Sequence, residues 1–180
     1  MGILLAILAG ILSETFLEYS VHRFLGHKFK KNPFYGAHNK HHAVAGYFVP
    51  TPRKIRAILL LMIPTLLISS GIIGFDLALA YSLSLGITYF IYELIHRHYH
   101  VSPPSTKYGL MMRKHHYFHH FHRSSMNHGV VTPIWDIVFG TYKNPAMVRV
   151  PKSFAPVWMV DELTGKVVPE LADHFKLVGA

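Results

Sequence analysis

The sequence predicts an all-α fold: an integral membrane helical bundle with a histidine-rich, two-metal cap on its cytoplasmic side. Three observations predict it. The first is apolarity: hydrophobic residues make up 51% of the 180-residue chain and charged residues 15%, which is apolar for a soluble domain. The second is segregation of charge. All 18 Lys and Arg lie at or after Arg23, and none falls between Arg56 and Arg97, so basic residues flank an apolar region rather than enter it. The third is the histidine content, 15 residues with no cysteine. Zero cysteine excludes disulfides, thiolate zinc sites, iron–sulfur clusters and cysteine nucleophiles together. The net charge of +9 invites a nucleic-acid partner, but its segregation around apolar spans and the lack of a binding motif argue against one.

Gly2 to Val21 is the first apolar segment. It lacks the basic n-region and small-x-small site of a leader peptide and reads as a membrane helix of about 20 residues. Glu14, Glu18 and His22 run at i, i+4 and i+8, a polar stripe of the kind that faces the protein interior. His22 and His27 are five apart, about 140° around an ideal helix. Both reach one metal if the helix ends between them, and Gly26 is placed to end it. Residues 28 to 36 read as a basic loop with a turn at Asn32-Pro33, and His38 to His42 as a short helix.

Ala57 to Gly74 is uncharged for 18 residues, a span by length with a kink expected at Pro64. Gly71, Gly74 and Asp76 form a turn, and Leu77 to Ile95 is the returning span, carrying Glu93 near its end. That helix continues through His96 and His100, an i, i+4 pair, until Pro103-Pro104 stop it. Tyr108 to His122 form the next helix, with five histidines within His115–His122. Its His116, His119 and His120 stand at i, i+3 and i+4 on one face, and His38, His41 and His42 repeat that spacing. Thr132 to Gly140 reads as a short capped helix. Residues 144–180 hold Pro145, Pro151, Pro156 and Pro169 and read as an irregular C-terminal cap of the same domain as residues 1–143, with a short helix near Pro169 to Leu177.

Eight basic residues lie from Arg23 to Arg56 and ten from Arg97 onward, with none in the turn between the two long spans. The positive-inside rule puts both basic regions, and with them every histidine, in the cytoplasm. The membrane is the plasma membrane in a prokaryote and the endoplasmic reticulum in a eukaryote.

Four histidine groups converge: His22 and His27; His38, His41 and His42; His96 and His100; His116, His119 and His120. Ten imidazoles suffice for two metals with about five nitrogens each, leaving a position open for oxygen or substrate, whereas structural zinc is normally closed by four ligands. Nitrogen-rich open sites suit iron, although zinc can fill them in a purified sample. Spacing alone leaves His115 as an alternative to His116, because His115, His119 and His122 also share a face. His98 points away from His96 and His100, His128 is placed to reach the site from a loop, and His174 reads as a surface residue. Glu18, Glu93 and Asp136 are expected to orient ligand imidazoles.

HRFLGH, HNKHH, YELIHRHYH, HHYFHH and NHGVVTPIWDIVFGTY, in that order over roughly residues 14 to 142, resemble the fatty acid hydroxylase/sterol desaturase superfamily of membrane non-haem di-iron enzymes. HxxxH at 96–100 and TPIWDIVFGT look most like its fatty acid 2-hydroxylase branch, with carotenoid hydroxylases or sterol desaturase-like oxidases the nearest rivals. The resemblance implies that the ten histidines hold two irons and favours His116 over His115. It implies hydroxylation of a lipid acyl chain taken from the bilayer, with O2 as co-substrate. It also implies a separate electron-donor protein, since no part of this sequence resembles a fused haem domain. The family commonly has four membrane helices and three are found here; His128 stands where an aromatic residue is expected. The non-enzyme alternative, metal transport or storage, would place ligands near the bilayer midplane, but Ala57 to Ile95 contains no histidine.

Overall fold

The computed structural model describes residues 1–44 and 46–179. Helix α1 (Gly2–Ser20) passes without a break into a π-helical segment, Val21–Lys28. α2 (Pro33–Ala43), α3 (Thr51–Ile73), α4 (Phe75–Val101), α5 (Lys107–Phe121) and the five-residue α6 (Ile134–Val138) follow. Two four-residue strands, β1 (Val148–Pro151) and β2 (Phe175–Val178), pair in parallel. Three helical stretches have the length and apolarity of membrane spans: Gly2–Lys28, Thr51–Ile73 and Phe75–Val101.

The chain divides into two compact units. The first comprises Met1–Glu18 and Val49–Leu94, and so the apolar parts of α1, α3 and α4. Its outward faces are apolar, with Leu60, Leu67 and Ile72 largely exposed, as a lipid-facing surface requires. Small residues let the helices close up. A Cβ on Gly10 would stand 2.4 Å from the Tyr81 carbonyl oxygen, and one on Gly86 would stand 2.2 Å from the Met62 sulfur. Hydroxyls of α3 are satisfied locally: Thr65 donates to the Leu61 carbonyl (2.7 Å) and Ser70 to that of Leu66 (2.7 Å). α3 runs through Pro64, and Gly74, at φ 82°, makes the turn into α4 alone. Gly71 lies inside α3 and Asp76 inside α4, so the turn is shorter than the sequence suggests.

The second unit, Tyr19–Phe48 with Ile95–Ala180, contains every histidine. Its apolar core gathers Tyr117 of α5, Val148, Val150, Met159, Leu171 and Phe175. Three expectations change here. The helix does not end at Gly26: it widens to i→i+5 hydrogen bonding, and the Phe29 amide still donates to the Phe24 carbonyl at 2.7 Å. The expected loop over 28–36 is half helix, because Asn32 caps α2 by accepting the Tyr35 amide (2.9 Å) and Pro33 takes the first position. The tail forms no α-helix near Pro169. Pro169–Leu171 is a single 3-10 turn, and Phe175–Val178 is a strand whose register pairs Val148 with Phe175.

Candidate metal centre

The ten predicted histidines fall into two groups of five. His22 and His27 of the π-segment, His38 and His42 of α2 and His119 of α5 make the first. His41 of α2, His96 and His100 of α4 and His116 and His120 of α5 make the second. In each group one nitrogen per ring lies within 4.8 Å of all the others. The two His-x-x-His-His motifs are shared reciprocally. α2 gives its i, i+4 pair to the first group and His41 to the second; α5 gives its i, i+4 pair to the second and His119 to the first. Each motif therefore serves two sites, not the single face that spacing predicts.

The π-segment explains His22 and His27. In i→i+5 geometry, residues five apart stack along one face, so the spacing that misaligns on an α-helix aligns here. Gly26 serves a different purpose from the one expected. A Cβ there would come within 3.0 Å of the His38 ring and 3.4 Å of the His22 ring, so glycine is needed for close approach rather than for helix termination.

In the first group four Nε2 atoms form a closed circuit: His27 to His38 at 2.9 Å, His38 to His42 at 3.0 Å, His42 to His119 at 3.2 Å and His119 to His27 at 2.9 Å. His119 donates from Nδ1 to the Met126 carbonyl (2.8 Å), and the Nδ1 of His22 is hydrogen-bonded to the His128 carbonyl. Those bonds fix the tautomer, so both Nε2 atoms carry bare lone pairs. The circuit cannot be a set of mutual hydrogen bonds, since His119 Nε2 has no proton to give. Metal–nitrogen bonds of about 2.1 Å meeting at right angles would separate neighbouring nitrogens by about 3.0 Å. The fifth nitrogen, His22 Nε2, is buried with no hydrogen-bond partner among the described residues, which costs about 1–3 kcal/mol if nothing fills the site. The residues therefore fit a first-row transition metal.

The second group shows the same logic. His100 and His116 meet Nε2 to Nε2 at 2.8 Å, and His41 is fixed through Nδ1 by the Tyr47 carbonyl at 2.8 Å. His120 Nε2 is buried without a hydrogen-bond partner among the described residues. The rings of His42 and His120 stack at 4.1 Å, so one imidazole of each group touches the other. Burial, then the neighbouring imidazoles, pushes protonation of His42 down to about 3 and holds His38, His116, His119 and His120 well below the ordinary histidine range. All are neutral at pH 7, the state a metal ligand needs.

Of the three acids expected to orient the ligands, Asp136 is fully buried but reaches the site indirectly. It accepts from the His128 amide (2.8 Å), the Gly129 amide (2.7 Å), the Thr141 hydroxyl (2.7 Å) and His115 Nε2 (3.1 Å). It thus pins the loop whose His128 carbonyl holds His22. His115 pairs with this carboxylate and lies outside both groups, while His116 lies inside the second. The His128 ring packs edge-on to His22 and His119 at 5.5 and 5.3 Å. Glu18 is buried. Glu93 is engaged by Lys54 and by the Tyr89 hydroxyl, at 3.2 Å from the latter. His98 and His122 are exposed and His174 is half-buried.

Sequence reasoning missed Arg113, which is 1% exposed. Its guanidinium donates to the carbonyls of His98 (3.3 Å), Ser102 (2.9 Å) and Pro103 (3.1 Å), the C-terminal end of α4, and to Gly109 (3.1 Å) of its own helix. A cation on the orphan carbonyls of a helix end is favourable, and this one ties α4, with His96 and His100, to α5, with His116 and His120. The available signal was an arginine two residues before a histidine run. Trp158 was missed as well; its Nε1 donates to the His100 carbonyl at 3.1 Å.

Beside the first group opens a cavity of about 450 Å³, walled by His27, His128, Arg23, Lys28 and Lys30. Beside the second lies one of about 310 Å³, walled by aromatic and aliphatic side chains.

Comparison with known proteins agrees with this architecture. A family model described as fatty acid hydroxylase matches residues 7–141. Dihydroceramide fatty acyl 2-hydroxylase FAH2 of Arabidopsis thaliana is 30% identical over 146 residues, covering 73% of this chain and 58% of that protein. Fatty acid 2-hydroxylase of Mus musculus is 29% identical over 154 residues, covering 73% of this chain and 38% of that one. The solved structure of full-length scs7p, in which only the hydroxylase domain is visible, superposes with a TM-score of 0.64 at 26% identity, covering 78% of this chain and 57% of that one. The chain thus spans little more than half the length of the plant relative.

Proposed function

The chain belongs to the fatty acid hydroxylase family, and from that membership and the two five-histidine groups we propose that it is a membrane-bound di-iron monooxygenase that hydroxylates a lipid acyl chain at carbon 2. The observation that carries the reading is the pair of histidine groups, each gathering five imidazoles with no carboxylate among them. We assign His22, His27, His38, His42 and His119 to one iron and His41, His96, His100, His116 and His120 to the other; zinc can replace iron in purified protein. Five nitrogens per ion would leave room for oxygen or substrate to bind. The irons, when bound, would supply oxygen activation and removal of hydrogen from an unactivated C–H bond.

The chain's own residues contribute position and exclusion of water. Carbonyls of Met126, His128 and Tyr47 aim three of the imidazoles. The reaction converts C–H and O2, with two electrons and two protons, to C–OH and water. The electrons come from a separate donor protein. Carbon 2 follows from the relatives, which are named as fatty acid and dihydroceramide fatty acyl 2-hydroxylases. We place residues 1–143 as the hydroxylase domain, residues 144–180 as its cap and the metal site on the cytoplasmic side. The segregation of basic residues supports the last of these.

Lipids hydrolysed from cells expressing wild type and His119→Ala test the activity. Wild type is expected to yield 2-hydroxy acids and the variant none; oxidised carotenoids or sterols in place of hydroxy acids would replace the reading. A cysteine introduced at Ser70 should react with an impermeant thiol reagent from outside intact cells, and one at Asn39 should not. The reverse pattern would invert the topology.

A further inference from the structure

The 310 Å³ cavity beside the second histidine group differs from its neighbour in what lines it. His41, His100 and His120 form one end, and Phe121, Phe154 and Trp158 the sides, with no Lys, Arg, Asp or Glu among the described residues of the lining. The cavity beside the first group carries Arg23, Lys28 and Lys30 instead. An apolar chain is excluded from a cationic cleft and welcomed by an uncharged aromatic one.

The far wall comes from the tail, Phe154 to Trp158, which lies beyond residues 7–141 matched by the family model. That wall is rigid where it meets the histidines. Trp158 is fixed by its hydrogen bond to the His100 carbonyl (3.1 Å) and by stacking on Tyr117 at 6.3 Å with 12° between the rings. Phe154 packs on Phe121 at 5.8 Å. Val157 lines the cavity yet is 80% exposed, which places it at the mouth.

We propose that this cavity receives the apolar chain of the substrate, and that Phe154, Val157 and Trp158 determine which chains are accepted. The proposal rests on the acyl-hydroxylase reading above. The occupant is an uncharged hydrocarbon segment next to the reacting carbon. Three ligand imidazoles form the end wall, so whatever fills the cavity abuts the second metal site.

Trp158 is itself the reporter, because the chain has two tryptophans and Trp135→Phe leaves one. In detergent, a fatty acid brominated on its chain should quench Trp158 fluorescence saturably, and excess unbrominated acid should restore it. Val157→Asp, which puts an anion at the mouth against both the hydrocarbon and the probe's carboxylate, should weaken that quenching tenfold or more while retaining wild-type metal content. If that variant fails to fold, Phe154→Ala serves instead and should shift preference toward bulkier, kinked chains. Quenching that rises linearly without saturating, or that is the same in wild type and the variants, overturns the proposal. Lipid products are measured in parallel. Saturable quenching with no hydroxy acid in wild type would overturn the hydroxylase reading and leave the cavity standing. Hydroxy acids at wild-type level with unchanged chain-length distribution in the variants would do the opposite.

Discussion

The two histidine groups have the same number of imidazoles and are built by different means. The second uses regular α-helix arithmetic: His96 with His100, and His116 with His120, each one turn apart. Its helices are tied by Arg113 across the end of α4, and an uncharged aromatic cavity adjoins it. The first depends on irregular backbone. Its His22 and His27 need a π-segment, two of its rings are aimed by carbonyls of the Met126–His128 loop, and its cavity is basic. The contrast suggests a division of labour. The second group borders an uncharged, largely apolar cavity, while the first borders one that carries Arg23, Lys28 and Lys30. It also suggests that damage to either support should be local.

The largest expected effect separates the groups at the ligands themselves. Purified wild type should carry about two metals per chain, and His119→Ala or His120→Ala about one, with hydroxylation abolished in both. The remaining metal should differ: His119→Ala keeps the second site and His120→Ala the first. If either substitution releases both metals, the groups form a single cooperative centre, and the stacked His42 and His120 rings are the contact that couples them.

Arg113→Ala should weaken the second group selectively. Loss of a buried guanidinium that satisfies the carbonyls of His98, Ser102 and Pro103, at and just after the end of α4, should cost about 3 kcal/mol. Metal content should fall at the second site before the first, as read from partial chelation. Arg113→Lys keeps the charge but not the fork of donors and should recover only part of the loss. Equal weakening of both sites would show that Arg113 supports the whole unit instead.

How much of this was legible in the sequence follows from the same contrast. The i, i+4 pairs were readable because they depend only on helix geometry. The spans were readable because length and apolarity are local properties. The assignment of His41 and His119 to the group opposite their helix-mates was not, since it depends on which neighbouring helix each face meets. Gly26 was misread because glycine signals termination and close approach alike. The carbonyls of Tyr47, Met126 and His128 carry no sequence signal, as every residue has one. Val148-Arg149-Val150 alternates too briefly to announce a strand, and its partner lies at Phe175.

Asp136→Asn sharpens the comparison from the other side, through the loop that aims His22. Burial alone would raise the Asp136 carboxyl, but hydrogen bonds from His115, Thr141 and Gly129 hold it below its ordinary value. A carboxyl depressed on folding contributes stability that is complete above its unfolded value, about pH 4, and drains as pH falls through the lower folded value. The variant should therefore melt earlier than wild type at pH 7, by about 2 kcal/mol, and the gap should close below about pH 4. Metal loss at pH 7 should begin at the first site. A gap that widens on acidification would mean that Asp136 is protonated in the fold and that its role has been misassigned.

The smallest effect is the most discriminating, because two consequences of one methyl group oppose each other. Gly26→Ala gains about 1 kcal/mol of intrinsic helix preference. It also places a Cβ 3.0 Å from the His38 ring and 3.4 Å from that of His22, and such overpacking costs about 1–3 kcal/mol. Both rings belong to the first group, so the cost falls on their alignment and the gain on the helix as a whole. The melting temperature without metal should thus move little, while metal affinity at the first site drops several-fold and the second is unaffected. Chelator titration of both sites, with thermal melts of the stripped protein, reads the two consequences separately. An unchanged first site would mean that the π-segment yields enough to accommodate the methyl group, and that its width, rather than the glycine, sets the positions of His22 and His27.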